Sequence, residues 1–233
     1  VNPLKIAQAL AETSQRCYSR GWNMGTSGNF SIVLSHDPLR LAITASGRNK
    51  RTLGPADVVT VDERGELVPV ARGGELGFSS LRPAGTSAGR PSAETLLHLT
   101  IARLRGAGSI LHTHSVWSTM LSELHASAGG FAIEGFEMLK GLQGVTTHDH
   151  REWVPILEND QDMASLSMQL EEMLAAQPGA HAVLLRRHGL YTWGETLADA
   201  ERHLEILEFL FETIGRLSTA SPLVTSSSMA PSV

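Results

Sequence analysis

Gly108-Ser109-Ile110-Leu111-His112-Thr113-His114 is a short apolar run that ends in two histidines. A run of this length behind a glycine reads as a buried strand. Residues i and i+2 of a strand share a face, so His112 and His114 present their imidazoles on one side. Neutral imidazole is a good zinc ligand, and a catalytic zinc typically takes three protein ligands and keeps one position open. Alone, the pair reads equally as two hydrogen-bonded residues at a strand end. A second apolar run, Ala182-Val183-Leu184-Leu185, leads into Arg186-Arg187-His188-Gly189. It sets another histidine just past a strand end, beside a glycine that permits close backbone approach. His188 is therefore the leading third ligand. A competing pair, His148 and His150, has the same spacing but lies in polar sequence and reads as a loop. His36, His98, His125, His181 and His203 read as structural or solvent-facing.

Outward from these runs the pattern alternates helix and strand. Leu4 to about Ser19 reads as an amphipathic helix, Phe30–Leu34 and Leu41–Thr44 as strands. Val58–Val61 and Leu67–Val70 flank Asp62-Glu63-Arg64-Gly65 as a hairpin. Ala71–Arg90 is rich in Gly, Ser and Pro and reads as a surface insertion. Helices are expected over Ala93–Leu104 and Val116–Leu124, a strand over Trp153–Ile156, then a helix through Leu166 and Leu170 capped by Asn159-Asp160. A long helix carries Leu197, Leu204, Leu207, Phe211 and Ile214. One domain over 1–217 is expected, and the tail from Ser218 reads as disordered. The order of elements implies an α/β fold with largely antiparallel pairing, because several strands connect by hairpins.

Composition narrows the function. The chain has 233 residues, 42% apolar and 18% charged, enough for a substantial core and unlike a disordered protein. A net charge of −5 gives no electrostatic footprint for nucleic acid. Cys17 is the one cysteine, so no intrachain disulfide forms. No run approaches the ~18–20 apolar residues of a membrane span, and the first residues lack a signal peptide's apolar stretch. A cytoplasmic location is the default expectation.

Two turns, Thr26-Ser27-Gly28-Asn29 and Thr44-Ala45-Ser46-Gly47, offer backbone N–H and hydroxyl donors suited to a phosphate, with Lys50 nearby as counter-charge. Neither fits a P-loop or a dinucleotide fingerprint. Glu94 follows Pro91-Ser92 in the first turn of a helix, where a carboxylate stabilises the macrodipole. Glu137 lies in Gly135-Phe136-Glu137-Met138-Leu139-Lys140-Gly141. Desolvation in this apolar stretch would raise its pKa and suit it to proton transfer; the structural alternative is an ion pair with Lys140.

Ser27-Gly28-Asn29, Thr44–Gly47, Pro91-Ser92-Ala93-Glu94, His112-Thr113-His114 and Arg187-His188-Gly189 occur in the order and spacing of the class II aldolase/adducin family, which the chain resembles from about Leu4 to Leu217. The resemblance implies a three-layer α/β/α domain around a mainly antiparallel sheet, and a ring-shaped homotetramer with active sites near subunit interfaces. It implies one zinc per subunit on His112, His114 and His188. The phosphate of a small sugar substrate is expected on Ser27, Gly28, Asn29, Thr44, Ser46, Gly47 and Ser92. In the family's aldolases the position of Glu94 is the acid/base. In its animal dehydratases the position of Glu94 looks like a cysteine, and the position of Glu137 is assigned the proton transfer. Glu137 is the first choice here and Glu94 the second. The chemistry expected is proton removal beside a carbonyl followed by loss of water. Aldol cleavage, epimerisation, and a non-catalytic binding module are the alternatives.

Overall fold

Neighbouring residues of the central runs face opposite ways: Ile110, Val183 and Leu185 pack into one apolar cluster, Leu111 and Leu184 into another. That two-residue alternation, apolar on both sides, marks strands covered on both faces. The computed structural model describes residues 2–68 and 89–220. In chain order its elements are α1 (Pro3–Ser19), β1 (Asn29–His36), β2 (Leu39–Thr44), β3 (Val58–Val61), α2 (Thr95–Arg105), β4 (Ser109–Thr113), α3 (Val116–Leu124), β5 (Gly130–Ile133), β6 (Glu152–Leu157), α4 (Met163–Ala176), β7 (Ala182–Leu185), β8 (Gly189–Gly194) and α5 (Leu197–Ala220). The strands form one sheet in the order β3-β2-β1-β4-β8-β7-β6-β5. Every neighbouring pair is antiparallel except β6 with β7. Residues of α1, α3 and α5 supply one core cluster, and those of α2 and α4 the other. This is the three-layer, mainly antiparallel α/β/α fold expected.

Register gathers one set of loops. β4 ends where β8 and β1 begin: Thr113 pairs with Leu190, and His112 pairs with both Tyr191 and Asn29. β2 runs against β1, so its end at Thr44 arrives at the same edge. β6 and β7 are parallel and finish there too. Both Ser/Thr/Gly turns and all three candidate ligands therefore share one edge of the sheet.

The expected hairpin pairs as far as it is described: Val61 bridges Leu67, and the Val68 N–H donates to the Thr60 carbonyl at 3.0 Å; Pro69 and Val70 lie outside the described residues. Other local expectations change. The cap of α4 is Asp162, not Asn159-Asp160: its carboxylate accepts from the N–H groups of Ala164 and Ser165. Strands β5 and β8 are not among the expected ones. β5 has only four residues, and β8 begins and ends in glycine, a residue that weakens a strand pattern. Helix α5 continues to Ala220, past Ser218, where the tail was expected to begin. Most of the expected 71–90 insertion (71–88) and the rest of the tail lie outside the described residues.

Candidate metal centre and its cavity

His112 is fully buried at the end of β4, its ring stacked on Tyr191 at 4.0 Å between centroids. Its Nδ1 donates to the Leu190 carbonyl at 3.0 Å, which leaves the Nε2 lone pair pointing away from the sheet. His188 Nδ1 donates to Asn159 Oδ1 at 3.2 Å, and its Nε2 turns the same way. His114 Nε2 lies 2.7 Å from His112 Nε2. The three ligand nitrogens lie within 4.8 Å of one another. Hydrogen bonds on the far ring nitrogens fix tautomer and direction, as they do at metal-bound histidines. This donor set fits a divalent ion of the zinc type.

Gly189 allows this closeness. A Cβ there would stand 2.0 Å from the Thr113 carbonyl oxygen, so any side chain would push β8 off β4. Gly28 does the same service on the other flank, with φ at +75° and a Cβ position 2.6 Å from the His112 carbonyl oxygen.

Glu94 closes the cluster. It sits at the N-cap of α2 without capping the helix, so the helix-dipole role expected from sequence is not the whole of it. Its carboxylate reaches His188 Nε2 at 3.1 Å and His112 Nε2 at 3.4 Å. Burial would raise its pKa, but His112, His188 and the Asn29 hydrogen bond together hold it below the usual carboxylate range. Asn29 Nδ2 donates to Glu94 at 2.6 Å and to Ser92 Oγ at 2.9 Å. Behind it Ser31 donates to His98 Nδ1 at 2.8 Å, and His98 Nε2 donates to Asn29 Oδ1. His98 is thus structural, as expected, but its task is to aim Asn29 at Glu94.

The cluster faces a cavity of about 370 Å³. Its walls include Ser27, Gly28, Asn29, Thr44, Ser46, Gly47 and Ser92, the residues expected to hold a phosphate, and also Lys50, Asn159, Gln161 and Met163. Lys50 Nζ donates to the Thr26 and Arg48 carbonyls at 2.9 and 3.2 Å. Burial pulls its pKa to about 8, so it is mainly cationic at neutral pH. Asn159 belongs to the pair expected to cap α4, and Gln161 carries no expectation of its own; no local pattern distinguishes a cap from a ligand-facing loop.

Glu137 is not among the residues lining this cavity. It is 73% exposed and paired with Lys140 at 2.6 Å, and the Lys140 hydrogen bond lowers its pKa. The expectation of a desolvated carboxylate with a raised pKa is therefore overturned: the flanking apolar residue Leu139 turns inward while Glu137 turns out. The competing pair His148–His150 is also split. His148 is exposed near Glu137 and Asp149, whereas His150 turns to Glu152.

Burial sets a pH dependence. It pulls His98 and His112 to about 4 and His114 to about 3, against 6.5 unfolded. Each is neutral in the fold, so its contribution is complete above pH 6.5 and is lost as pH falls toward the folded value. The loss is at most about 1.4 kcal/mol per group per pH unit. Glu208, raised to about 7 by burial, acts in the opposite sense, whereas His181, also raised, changes its contribution above pH 6.5 and little below it. Three large shifts against one leave a net loss. Metal-free protein should thus unfold at lower urea concentration at pH 4.5 than at pH 6.5. An unchanged midpoint would contradict neutral buried imidazoles.

Three histidines and a carboxylate at one edge of a mainly antiparallel α/β/α sheet define a class, and the comparisons agree. Residues 8–214 match the family described as Class II Aldolase and Adducin N-terminal domain, and the chain belongs to that family. The methylthioribulose-1-phosphate dehydratase of Marinobacter nauticus is 41% identical over 207 residues, 88% of this chain and 90% of that protein. The dehydratase of the same name from Methylococcus capsulatus is 41% identical over 212 residues, 91% and 93% of the two chains. Among solved structures, YgbL of Escherichia coli aligns with a TM-score of 0.71 at 25% identity, over 92% of this chain and 90% of that one. L-fuculose-1-phosphate aldolase of Thermus thermophilus aligns at 0.67 and 22% identity, over 94% and 99%. The aldolase likeness speaks for the fold alone.

Proposed function

We propose that this chain is a hydro-lyase that eliminates water from 5-methylthioribulose 1-phosphate, forming 2,3-diketo-5-methylthiopentyl 1-phosphate in methionine salvage. The observation that carries this reading is the 41% identity, over about nine-tenths of both chains, to relatives named for that dehydration. A cytoplasmic homotetramer with one zinc per subunit completes the proposal. The described residues contain no helix long and apolar enough to cross a membrane.

His112, His114 and His188 would hold the zinc, which when bound supplies Lewis acidity to the substrate's carbonyl oxygen. The two Ser/Thr/Gly turns, Ser92 and Lys50 take the phosphate, since charge-assisted bonds to a phosphate are among the stronger ones available. That end fixes the sugar with its reacting carbons toward Glu94. Within one chain Glu94 is the carboxylate placed to take the C3 proton. Its ionised form is present at neutral pH, which leaves it free to accept the C3 proton; a pKa held low makes it the weaker base for that step and the readier donor as the C4 hydroxyl departs as water. Asn29, aimed by His98, keeps the carboxylate on station. Glu137, the other candidate, faces solvent in its own chain. In this reading it takes part only by entering the site of a second copy.

Incubation with 5-methylthioribulose 1-phosphate followed by mass analysis tests the proposal. Loss of one water is the expected outcome, and the phosphate-free sugar should bind far more weakly. Two fragments would assign the chain to aldol cleavage, and an unchanged mass would remove the dehydratase reading. A non-catalytic binding module has no use for three convergent imidazoles and a half-buried carboxylate facing the same cavity.

A further inference from the structure

The opposite edge of the sheet carries a second cluster of ligand-type side chains. Because β6 and β7 are parallel, their starts lie together, at the far end of β7 from His188. Glu152 opens β6 and His181 immediately precedes β7. His181 Nδ1 lies 2.9 Å from Glu152 Oε2, and His150 Nε2 lies 2.8 Å from the same oxygen. The three ligand atoms lie within 4.8 Å of one another. Glu152 is 1% exposed, and a carboxylate so buried persists only when paired or ligating.

Two further features resemble a built metal site. His181 Nε2 donates to the Gln143 carbonyl at 2.8 Å, the outer bond that at metal-bound histidines aims the other nitrogen at the ion. Gln143 is itself held, its N–H donating to His203 Nε2 at 3.0 Å. His203 is not a ligand, since both its ring nitrogens are taken: Nε2 accepts that N–H, and Nδ1 donates to the Trp193 carbonyl at 2.7 Å. Glu152 Oε1 accepts the His181 backbone N–H at 3.1 Å, which fixes the carboxylate and directs Oε2 at both rings. A cavity of about 380 Å³ opens beside His150 and His181, with room for water in the remaining coordination positions. Arg105 also lines it and would oppose a cation. Its guanidinium, however, donates to the Leu174 and Gln177 carbonyls at 3.0 and 2.6 Å, over the Trp193 ring.

We propose that His150, Glu152 and His181 form a second divalent-metal site, separate from the His112–His114–His188 centre. Two imidazoles and one carboxylate suit a first-row ion such as zinc. The ion would fasten the segment between β5 and β6 to the starts of β6 and β7. The competing account is a pair of imidazole–carboxylate hydrogen bonds with no ion.

Titration of the chelator-stripped full chain with Co²⁺, read by visible absorption and by equilibrium dialysis against Zn²⁺, separates the two. Two equivalents per chain are expected. The His112→Ala/His188→Ala variant should keep one, and zinc should raise its Tm, because an ion that binds only the folded chain stabilises it. His150→Ala removes a part-exposed ring with a single hydrogen bond, so the fold should survive, checked by circular dichroism. Its second equivalent should weaken by about 100-fold or more, since even lost outer-shell partners cost about 10–100-fold. Saturation of the wild type at one equivalent would overturn the proposal. So would a folded His112→Ala/His188→Ala chain that binds none, or a His150→Ala chain that binds two as tightly as wild type.

Discussion

Glu94→Gln is expected to lower the rate constant for water elimination by about 10²–10⁴-fold, the usual worth of a positioned acid/base. The amide keeps the length of the side chain and can still accept from Asn29, so substrate binding should change little. An effect on kcat with KM nearly constant marks an interaction made in the transition state. Single-turnover measurement with metal content recorded beside it is the check. A Glu94→Gln enzyme that turns over at the wild-type rate with its metal in place would end the assignment. Glu137→Gln separates the remaining possibilities. If Glu137 does no chemistry, the variant stays active, since the residue is exposed and outside its own chain's cavity. If it serves a second copy's site, the variant is inactive, but mixing it with inactive His188→Ala subunits restores activity. In the mixed oligomer some sites combine an intact histidine set with an intact Glu137. Inactivity that mixing does not repair would place Glu137 in its own chain's reaction.

His112→Ala and His188→Ala should both lose bound zinc and activity, yet differ in stability. His112 is fully buried, stacked on Tyr191 and bonded to the Leu190 carbonyl. Truncation there leaves a hole between β4 and β8 and should cost the metal-free protein about 2–4 kcal/mol, the range for large buried side chains cut to alanine. His188 lies in the loop before β8 with part of its ring in the cavity. Its removal should leave metal-free stability within about 0.5–1 kcal/mol of wild type. Urea unfolding in chelator, with metal analysis of each variant as purified, reads both quantities. Full zinc retention in either variant would refute the ligand set.

Sequence alone carried the parts of this protein that depend on local period. The i, i+2 spacing of His112 and His114 on an apolar strand put both rings on one face. The Ser/Thr/Gly turns at 26–29 and 44–47 declared themselves by residue type. The run of alternating helices and strands with hairpin joins implied a mostly antiparallel α/β sheet. Tertiary structure decided everything that depends on which distant residue stands alongside. A two-residue period says that a face is buried but not against what, so only the β4–β8 and β4–β1 registers bring His188 and Asn29 to His112. Desolvation is likewise a property of the surroundings. Glu137 looked buried from its apolar neighbours and is exposed, because the turn at Glu137–Gly141 sends Leu139 inward instead. Glu152 carries no signal in the sequence and is almost fully buried, because the parallel start of β7 delivers His181 across 29 residues of chain. Parity is written in adjacent residues; register and burial arise from the packing of the whole sheet.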